Sequence, residues 1–248
     1  MSNLTAGVII IGDEILSGRT HDTNSNFIAK ELNNAGIKLE QVRTIQDNQK
    51  TIIDTVKEFH KLYTYVFTTG GIGPTHDDIT SESLAIAFKK EYCFHQEAFK
   101  ILEDYYPKGE FNKGRKKMAK MPASSELILN PLTACPGFSI ENVFVLPGVP
   151  EIMEKMFINV LKRIEKGKPK KIITINTNLY ESLIAENLSA IQEKNFRCSI
   201  GSYPYFNNIN NTNGVNIVIS SWELENLDQI VSEIEEMILL LDGKSKIV

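Results

Sequence analysis

Cysteine is scarce in this chain, and what there is cannot be paired usefully. The three residues, Cys93, Cys135 and Cys198, are odd in number, far apart and without C-x-x-C spacing, which excludes a disulfide framework and a zinc site built on cysteine. Excess positive charge is also missing. At a formal net charge of −4 the chain has no electrostatic case for nucleic acid, and its densest cationic run (Lys113, Arg115, Lys116, Lys117, Lys120) reads as a solvated helix face that could still touch a phosphate. No apolar run approaches the roughly 20 residues of a membrane span, and the N-terminus shows no basic stretch followed by an apolar one. The expectation is a soluble, cytoplasmic protein with no membrane partner. Two phosphate signatures are lacking too: no G-x-x-x-x-G-K-[ST] occurs, and no G-x-G-x-x-G joins the first strand to the first helix.

What is present is an ordinary globular composition, 42% hydrophobic and 23% charged over 248 residues, enough for one large core or two domains. Ala6-Gly7-Val8-Ile9-Ile10-Ile11 is a continuous apolar run that reads as a central parallel strand, and it opens into Gly12-Asp13-Glu14. A polar stretch through Asp22-Thr23-Asn24 precedes a helix carrying Phe27, Ile28 and Leu32. Residues 37–42 alternate as a strand, Asp47 or Asn48 caps the next helix, and Ile52, Ile53, Val56, Phe59 and Leu62 recur at helical spacing. Residues 65–69 form a third strand. The β-α-β-α-β-α order predicts a parallel sheet with right-handed crossovers and ligands at the strands' C-terminal edge.

The most informative stretch is Thr69-Gly70-Gly71-Ile72-Gly73-Pro74-Thr75-His76-Asp77-Asp78-Ile79-Thr80. Glycines at 70, 71 and 73 permit a sharp turn and close approach of N–H groups to a ligand. Thr80 or Ser81 is the expected N-cap of the following helix, whose free amides suit a phosphate. Asp77 and Asp78 would repel that phosphate unless a divalent cation intervened. Their other reading is a helix-capping carboxylate beside a solvated one. Asp13 and Glu14 are candidates for a second metal, a general base or simple capping, and His76 for a phosphate contact or a hydrogen-bonded structural partner.

Further along, residues 96–106 read as a helix and residues around 115–121 as a basic helix stopped by Pro122. Short strands follow at residues 127–129, 137–140 and 143–146, with a hairpin turn at Glu141-Asn142. Pro147-Gly148-Val149-Pro150-Glu151 then leads into an amphipathic helix, with Pro150 at its first position and Glu151 in its first turn. Residues 167–171 mark a boundary between a first domain, 1–166, and a small α+β domain, 171–248, in which residues 207–214 read as a polar loop.

The motifs Ile11-Gly12-Asp13-Glu14-Ile15-Leu16-Ser17-Gly18, Asp22-Thr23-Asn24, Gly70 to Thr80, Asn130-Pro131, Pro136-Gly137-Phe138 and Leu146-Pro147-Gly148-Val149-Pro150-Glu151 resemble the molybdopterin-binding-like domain of competence/damage-inducible protein A. They also resemble the N-terminal domain of eukaryotic FAD synthase, to which the Gly-Gly-Ile-Gly-Pro-Thr-His-Asp-Asp form looks nearer. The resemblance implies a three-layer α/β/α fold of the molybdenum-cofactor-biosynthesis type with a mostly parallel sheet. It implies, further, a Mg²⁺- or Co²⁺-dependent pyrophosphatase acting on FAD, ADP-ribose or a related dinucleotide. Asp47, Asp77 and Asp78 would be the catalytic and metal-binding residues. Gly12, Asp13, Glu14, Asn24, Thr69, Gly70, Gly71, Gly73, Pro74, Thr75, His76, Thr80, Pro147, Gly148, Pro150 and Glu151 would surround the substrate. The alternatives are a non-catalytic molybdopterin- or nucleotide-binding module and a molybdopterin adenylyltransferase. A homo-oligomer, dimer or higher, is expected from the same resemblance. The amidohydrolase and adenylyltransferase domains of these two families have no counterpart in the chain, so neither activity carries over. Leu132-Thr133-Ala134-Cys135-Pro136-Gly137-Phe138 departs from the first family's Gly-Thr-Ala-Pro-Gly-Phe.

Overall fold

The computed structural model describes residues 4–207, 212–224 and 226–248. The chain divides into two compact units, Met1–Gly167 and Lys168–Val248. In the first, β1 (Thr5–Ile11) leads through a single helical turn, α1 (Asp13–Leu16), to α2 (Asn24–Asn34) and β2 (Lys38–Ile45), then to α3 (Gln49–Leu62), β3 (Tyr65–Thr69) and α4 (Thr80–Ala87). An insertion of β4 (Tyr92–Phe94), α5 (Gln96–Tyr105), α6 (Lys113–Lys117) and β5 (Lys120–Pro122) follows. The unit closes with β6 (Glu126–Ile128), β7 (Gly137–Ile140), β8 (Val143–Leu146) and α7 (Pro150–Leu161).

The six-stranded sheet runs β2-β1-β3-β8-β7-β6. Its first four strands are parallel and the last two pairings antiparallel. β1 shows why both faces must be covered. Its residues from Ala6 to Ile11 are all buried, and they alternate between two cores. Val8 and Ile10 pack with Ile28 and Leu32 of α2 and Met153 and Phe157 of α7. Ile9 and Ile11 pack with Ile52, Val56 and Phe59 of α3 and Leu84 of α4. The result is a three-layer α/β/α unit with a mostly parallel sheet.

Local chemistry sets the element ends. Asn48 caps α3, its Oδ1 accepting the Thr51 N–H at 3.1 Å. At the β7–β8 hairpin Glu141 adopts a left-handed φ of +51°, and the Asn142 side chain donates to the carbonyls of His60 (3.1 Å) and Tyr63 (2.8 Å) at the end of α3. Pro150 opens α7 as expected. The basic helix is shorter than its sequence suggests. It ends at Lys117, and Lys120–Pro122 is strand, paired antiparallel with Tyr92–Phe94. Ala119 and Met121 are buried in the core behind α3 and α4. Burial and ladder bonds there outweigh the helix preference of a run interrupted by Gly114.

The second unit comprises β9 (Lys171–Thr177), α8 (Glu181–Lys194), β10 (Ser199–Asn207), β11 (Thr212–Ser221), α9 (Asp228–Leu240) and β12 (Ser245–Ile247). Its antiparallel sheet is ordered β10-β11-β9-β12. Ile175, Ile217 and Ile219 pack with Ile184 and Leu188 of α8 and Ile234 of α9. The polar stretch 207–214 is shorter as a loop than expected: Asn207 pairs with Thr212, and residues 208–211 lie outside the described residues.

Phe157 is fully buried and meets Phe67 edge-on at 5.0 Å and Phe27 at 6.3 Å. Phe157→Ala is expected to cost about 3–5 kcal/mol, read as a lowered urea midpoint with an unchanged slope.

Candidate functional site

The strand order reverses around β1. The chain leaves β1 for β2 on one side and returns to β3 on the other, and a crevice opens at the C-terminal ends of such strands. All four parallel strands feed it. A cleft of about 530 Å³ is walled by Gly12 after β1, Asp47 after β2, Gly70, Gly71, Gly73, Asp77 and Asp78 after β3, and Pro147, Gly148 and Pro150 after β8. Glu14 also lines it.

Steric necessity explains the glycine pair. Gly70 and Gly71 have φ of +105° and +69°, in the region that L side chains rarely adopt. A Cβ on Gly70 would stand 2.1 Å from the Ile11 carbonyl oxygen, and one on Gly71 2.1 Å from the Thr80 hydroxyl. The turn is tied on both sides: the Gly70 N–H donates to the Leu146 carbonyl, and the Thr80 N–H and hydroxyl donate to the carbonyls of Gly71 and Gly70, each at 3.0 Å.

Thr80 therefore has another job than the one its sequence position suggests. It is fully buried, the N-cap of α4 is Ile79 with no side-chain cap, and no residue of α4 lines the cleft. Apart from the single turn of α1, the helix that begins on the cleft wall is α7, whose N-cap, Val149, also makes no side-chain capping bond. Its first-turn amides suit an anion. Because the Gly70 N–H is engaged by Leu146, the amides of the three loop glycines left for a ligand are those of Gly71 and Gly73.

The carboxylates are held in place from the backbone. Asp47 accepts the Asp13 N–H at 2.9 Å. Burial raises its pKa, the Asp13 amide opposes that, and the charges of Asp13, Glu14 and Asp77 raise it further. Asp78 accepts the Thr75 N–H at 2.7 Å and the Thr75 hydroxyl at 2.5 Å, and that hydroxyl is also 2.5 Å from Asp77. The Thr75 hydroxyl is the chief reason that Asp77 sits below the usual carboxylate range. No Lys or Arg lines the cleft among the described residues. Nor do three His, Cys, Asp or Glu side chains there stand close enough to hold a metal unaided.

The remaining expected residues divide between neighbouring features. Pro74, Thr75 and His76 face an adjoining cavity, where the His76 ring is exposed and 3.9 Å from Asp77. Asn24 and Thr69 line a small recess of about 50 Å³ beside the cleft. There the Asn24 side chain donates to the Gly148 carbonyl at 2.8 Å, while its Oδ1 and the Thr69 hydroxyl have no partner among the described residues. Buried polar atoms of this kind suit an ordered water or a polar ligand group. Asp13 contributes its amide, not a wall of the cleft, and Glu151 is exposed and off the wall. Sequence reasoning missed Thr20, Met118 and Cys135, which line the cleft from loops that carry no phosphate or acid signature. Burial, with the Asp78 charge adding to it, pushes the Cys135 thiol up to about 12, so it is no thiolate nucleophile at neutral pH.

An α/β/α unit with its ligand cleft at the switch point of a mostly parallel sheet is the class of protein that fold and cleft define. The chain belongs to the family described as "Probable molybdopterin binding domain", which matches residues 7–166. Residues 171–240 match "FAD synthase, middle domain". A protein of Archaeoglobus fulgidus is 34% identical over 231 residues, covering 93% of this chain and 96% of its own. The "Probable FAD synthase" of Caenorhabditis elegans is 31% identical over 94% of this chain, which spans only 50% of that relative's length. The crystal structure of CinA "with unknown function" from Thermoplasma acidophilum superposes with a TM-score of 0.62 at 32% identity, covering 65% of this chain and 99% of the other.

Two outcomes follow from this geometry. Gly70→Ala should incur roughly 1–3 kcal/mol of backbone strain and a similar overpacking cost, seen as a lowered thermal midpoint. Iodoacetamide at pH 8 should alkylate the half-buried Cys135 at least roughly tenfold more slowly in the folded protein than in urea; peptide mapping gives both rates, and equal rates would contradict the raised thiol pKa.

Proposed function

We propose that the first unit hydrolyses the phosphoanhydride of a dinucleotide such as FAD or ADP-ribose, with Mg²⁺ or Co²⁺ bound together with the substrate. One observation carries this reading: Asp47, Asp77, Asp78 and Glu14 meet at a cleft whose other wall offers amides suited to phosphate, with no Lys or Arg lining it among the described residues. Carboxylates and phosphate share such a space only with a cation between them. Mg²⁺ typically needs just one or two carboxylates when phosphate oxygens and water complete its shell. Two pinned carboxylates, Asp77 and Asp78, fit that arrangement, whereas a resident ion held by protein alone does not fit. A bound divalent ion would neutralise phosphate charge and acidify an attacking water.

The chain's own residues then do the rest. Gly71, Gly73 and the first turn of α7 hold phosphate oxygens. Asp47, whose proton affinity burial raises, would accept the proton of the attacking water. A new P–O bond forms to that water oxygen as the anhydride P–O bond breaks, leaving two monophosphates and a released proton. The unpaired Asn24 Oδ1 and Thr69 hydroxyl, together with the family's description, favour a second reading in which the cleft holds a pterin or nucleotide without turnover. A homo-oligomer in the cytoplasm belongs to the same proposal. Among the described residues no helix is long and apolar enough to cross a membrane, and the three cysteines are free thiols.

Product analysis tests the hydrolase. FAD should yield AMP and FMN, and ADP-ribose AMP and ribose 5-phosphate, only with added metal; Asp78→Ala should reduce turnover at least about a hundredfold. Ligand binding without metal-dependent AMP would sink the hydrolase and leave the binding module.

A further inference from the structure

The loop that carries Asp77 and Asp78 has a second side. Beyond Pro74, Thr75 and His76 lies a cavity of about 780 Å³, within the range of small-molecule sites. Its lining is the electrostatic opposite of the cleft. Lys113, Lys116, Lys117 and Lys120 face it and, among the described residues, no carboxylate does. Its flat surfaces are Tyr92, Phe94 and Phe111, with Phe94 left 46% exposed. Lys120 Nζ lies 4.8 Å from the Phe94 ring centre and 5.5 Å from that of Tyr92, and Lys116 Nζ 5.5 Å from that of Phe111. The cavity is built onto the loop, since Lys117 Nζ donates to the Thr75 carbonyl at 2.5 Å, and a Cβ on Gly114 would approach the Pro74 carbonyl oxygen to 3.2 Å.

We propose that this cavity is the subsite for one half of the dinucleotide, a planar heteroaromatic ring bearing a phosphate, with the ring against Tyr92, Phe94 and Phe111 and the phosphate met by Lys113, Lys116 and Lys120. The assignment rests on the hydrolase reading for its substrate, and on the cavity's own chemistry for its ligand. Aromatic faces stack heteroaromatic rings of any identity once the flexible Lys116 and Lys120 side chains that lie over them swing aside, and those same ammonium groups then select rings carrying phosphate. The shared loop places the scissile anhydride at the border between the basic cavity and the acidic cleft, with the second half of the molecule in the cleft. A long polyanion would have to run past Asp77 and Asp78, which disfavours nucleic acid as the occupant.

Equilibrium titration with FMN, and separately with AMP, in chelator at about 0.15 M salt reads the subsite without turnover. The expected result is that at least one of the two binds the native protein and loses at least tenfold in affinity in the Lys116→Gln/Lys120→Gln double variant. Phe111→Ala should weaken the same ligand, because it removes one of the rings of the cavity. Binding of neither monophosphate, or equal binding by the double variant, would overturn the subsite. So would a single-stranded oligonucleotide that binds more tightly than either through the same lysines. The two readings fail separately: lysine-dependent FMN or AMP binding without metal-dependent cleavage removes the hydrolase alone, and cleavage of FAD with an unchanged KM in the double variant removes the subsite alone.

Discussion

The packing of two glycines between a strand carbonyl and a helix hydroxyl is the constraint from which the first unit's geometry follows. Gly70 lies against the Ile11 carbonyl and Gly71 against the Thr80 side chain, at distances that leave no space for a methyl group. The close approach lets β3 end beside β1 and lets α4 fold back under the turn. Once Gly70 is fastened to Leu146 and Thr80 to both glycine carbonyls, the following residues, Gly73 to Asp78, are carried out over the sheet edge. The acidic loop is thus mounted on a rigid corner, which is what a site with fixed carboxylate positions needs.

That loop separates two fields of opposite sign. On one side Asp47 already feels three other carboxylates as well as burial, an arrangement that costs stability unless something positive enters. On the other, four lysines and three aromatic rings surround a cavity with no carboxylate of its own among the described residues. The dinucleotide of the proposed reaction would have matching parts: a pyrophosphate to bring metal to the carboxylates, and rings and charge for the lysine-lined side. Thr75 joins the two fields physically, its hydroxyl on Asp77 and Asp78 and its carbonyl on Lys117. A change on either side is therefore expected to be felt through this residue.

Much of the architecture was legible in the residues themselves, because the relevant forces are local or periodic. The continuous apolar run before Gly12 can only be a strand covered on both faces, and its alternating residues do enter two different cores. Asn48, Pro150 and the Glu141-Asn142 turn announce their positions through capping, fixed φ and left-handed backbone. The misread elements are those that tertiary burial decides. Lys120–Pro122 became strand because Met121 is covered by the core. Thr80 looked like a cap because its residue type caps helices, yet its hydroxyl turned inward to a glycine carbonyl.

For the site the division is similar. The sequence by itself determined which residue types stand at the ends of the parallel strands, since a strand period followed by glycine and acid is a one-dimensional signal. Only the tertiary structure decided which of them share a space. It brought Asp47 onto the Asp13 amide, drew Cys135, Thr20 and Met118 into the cleft wall, and left Glu151 outside it. It also set the lysines of α6 and β5 around the rings of β4, turning what reads as a solvated basic face into the lining of a cavity. The reason is physical: backbone pattern is encoded within a few residues, whereas electrostatic neighbours and excluded volume are fixed by crossovers that bring distant segments to one sheet edge.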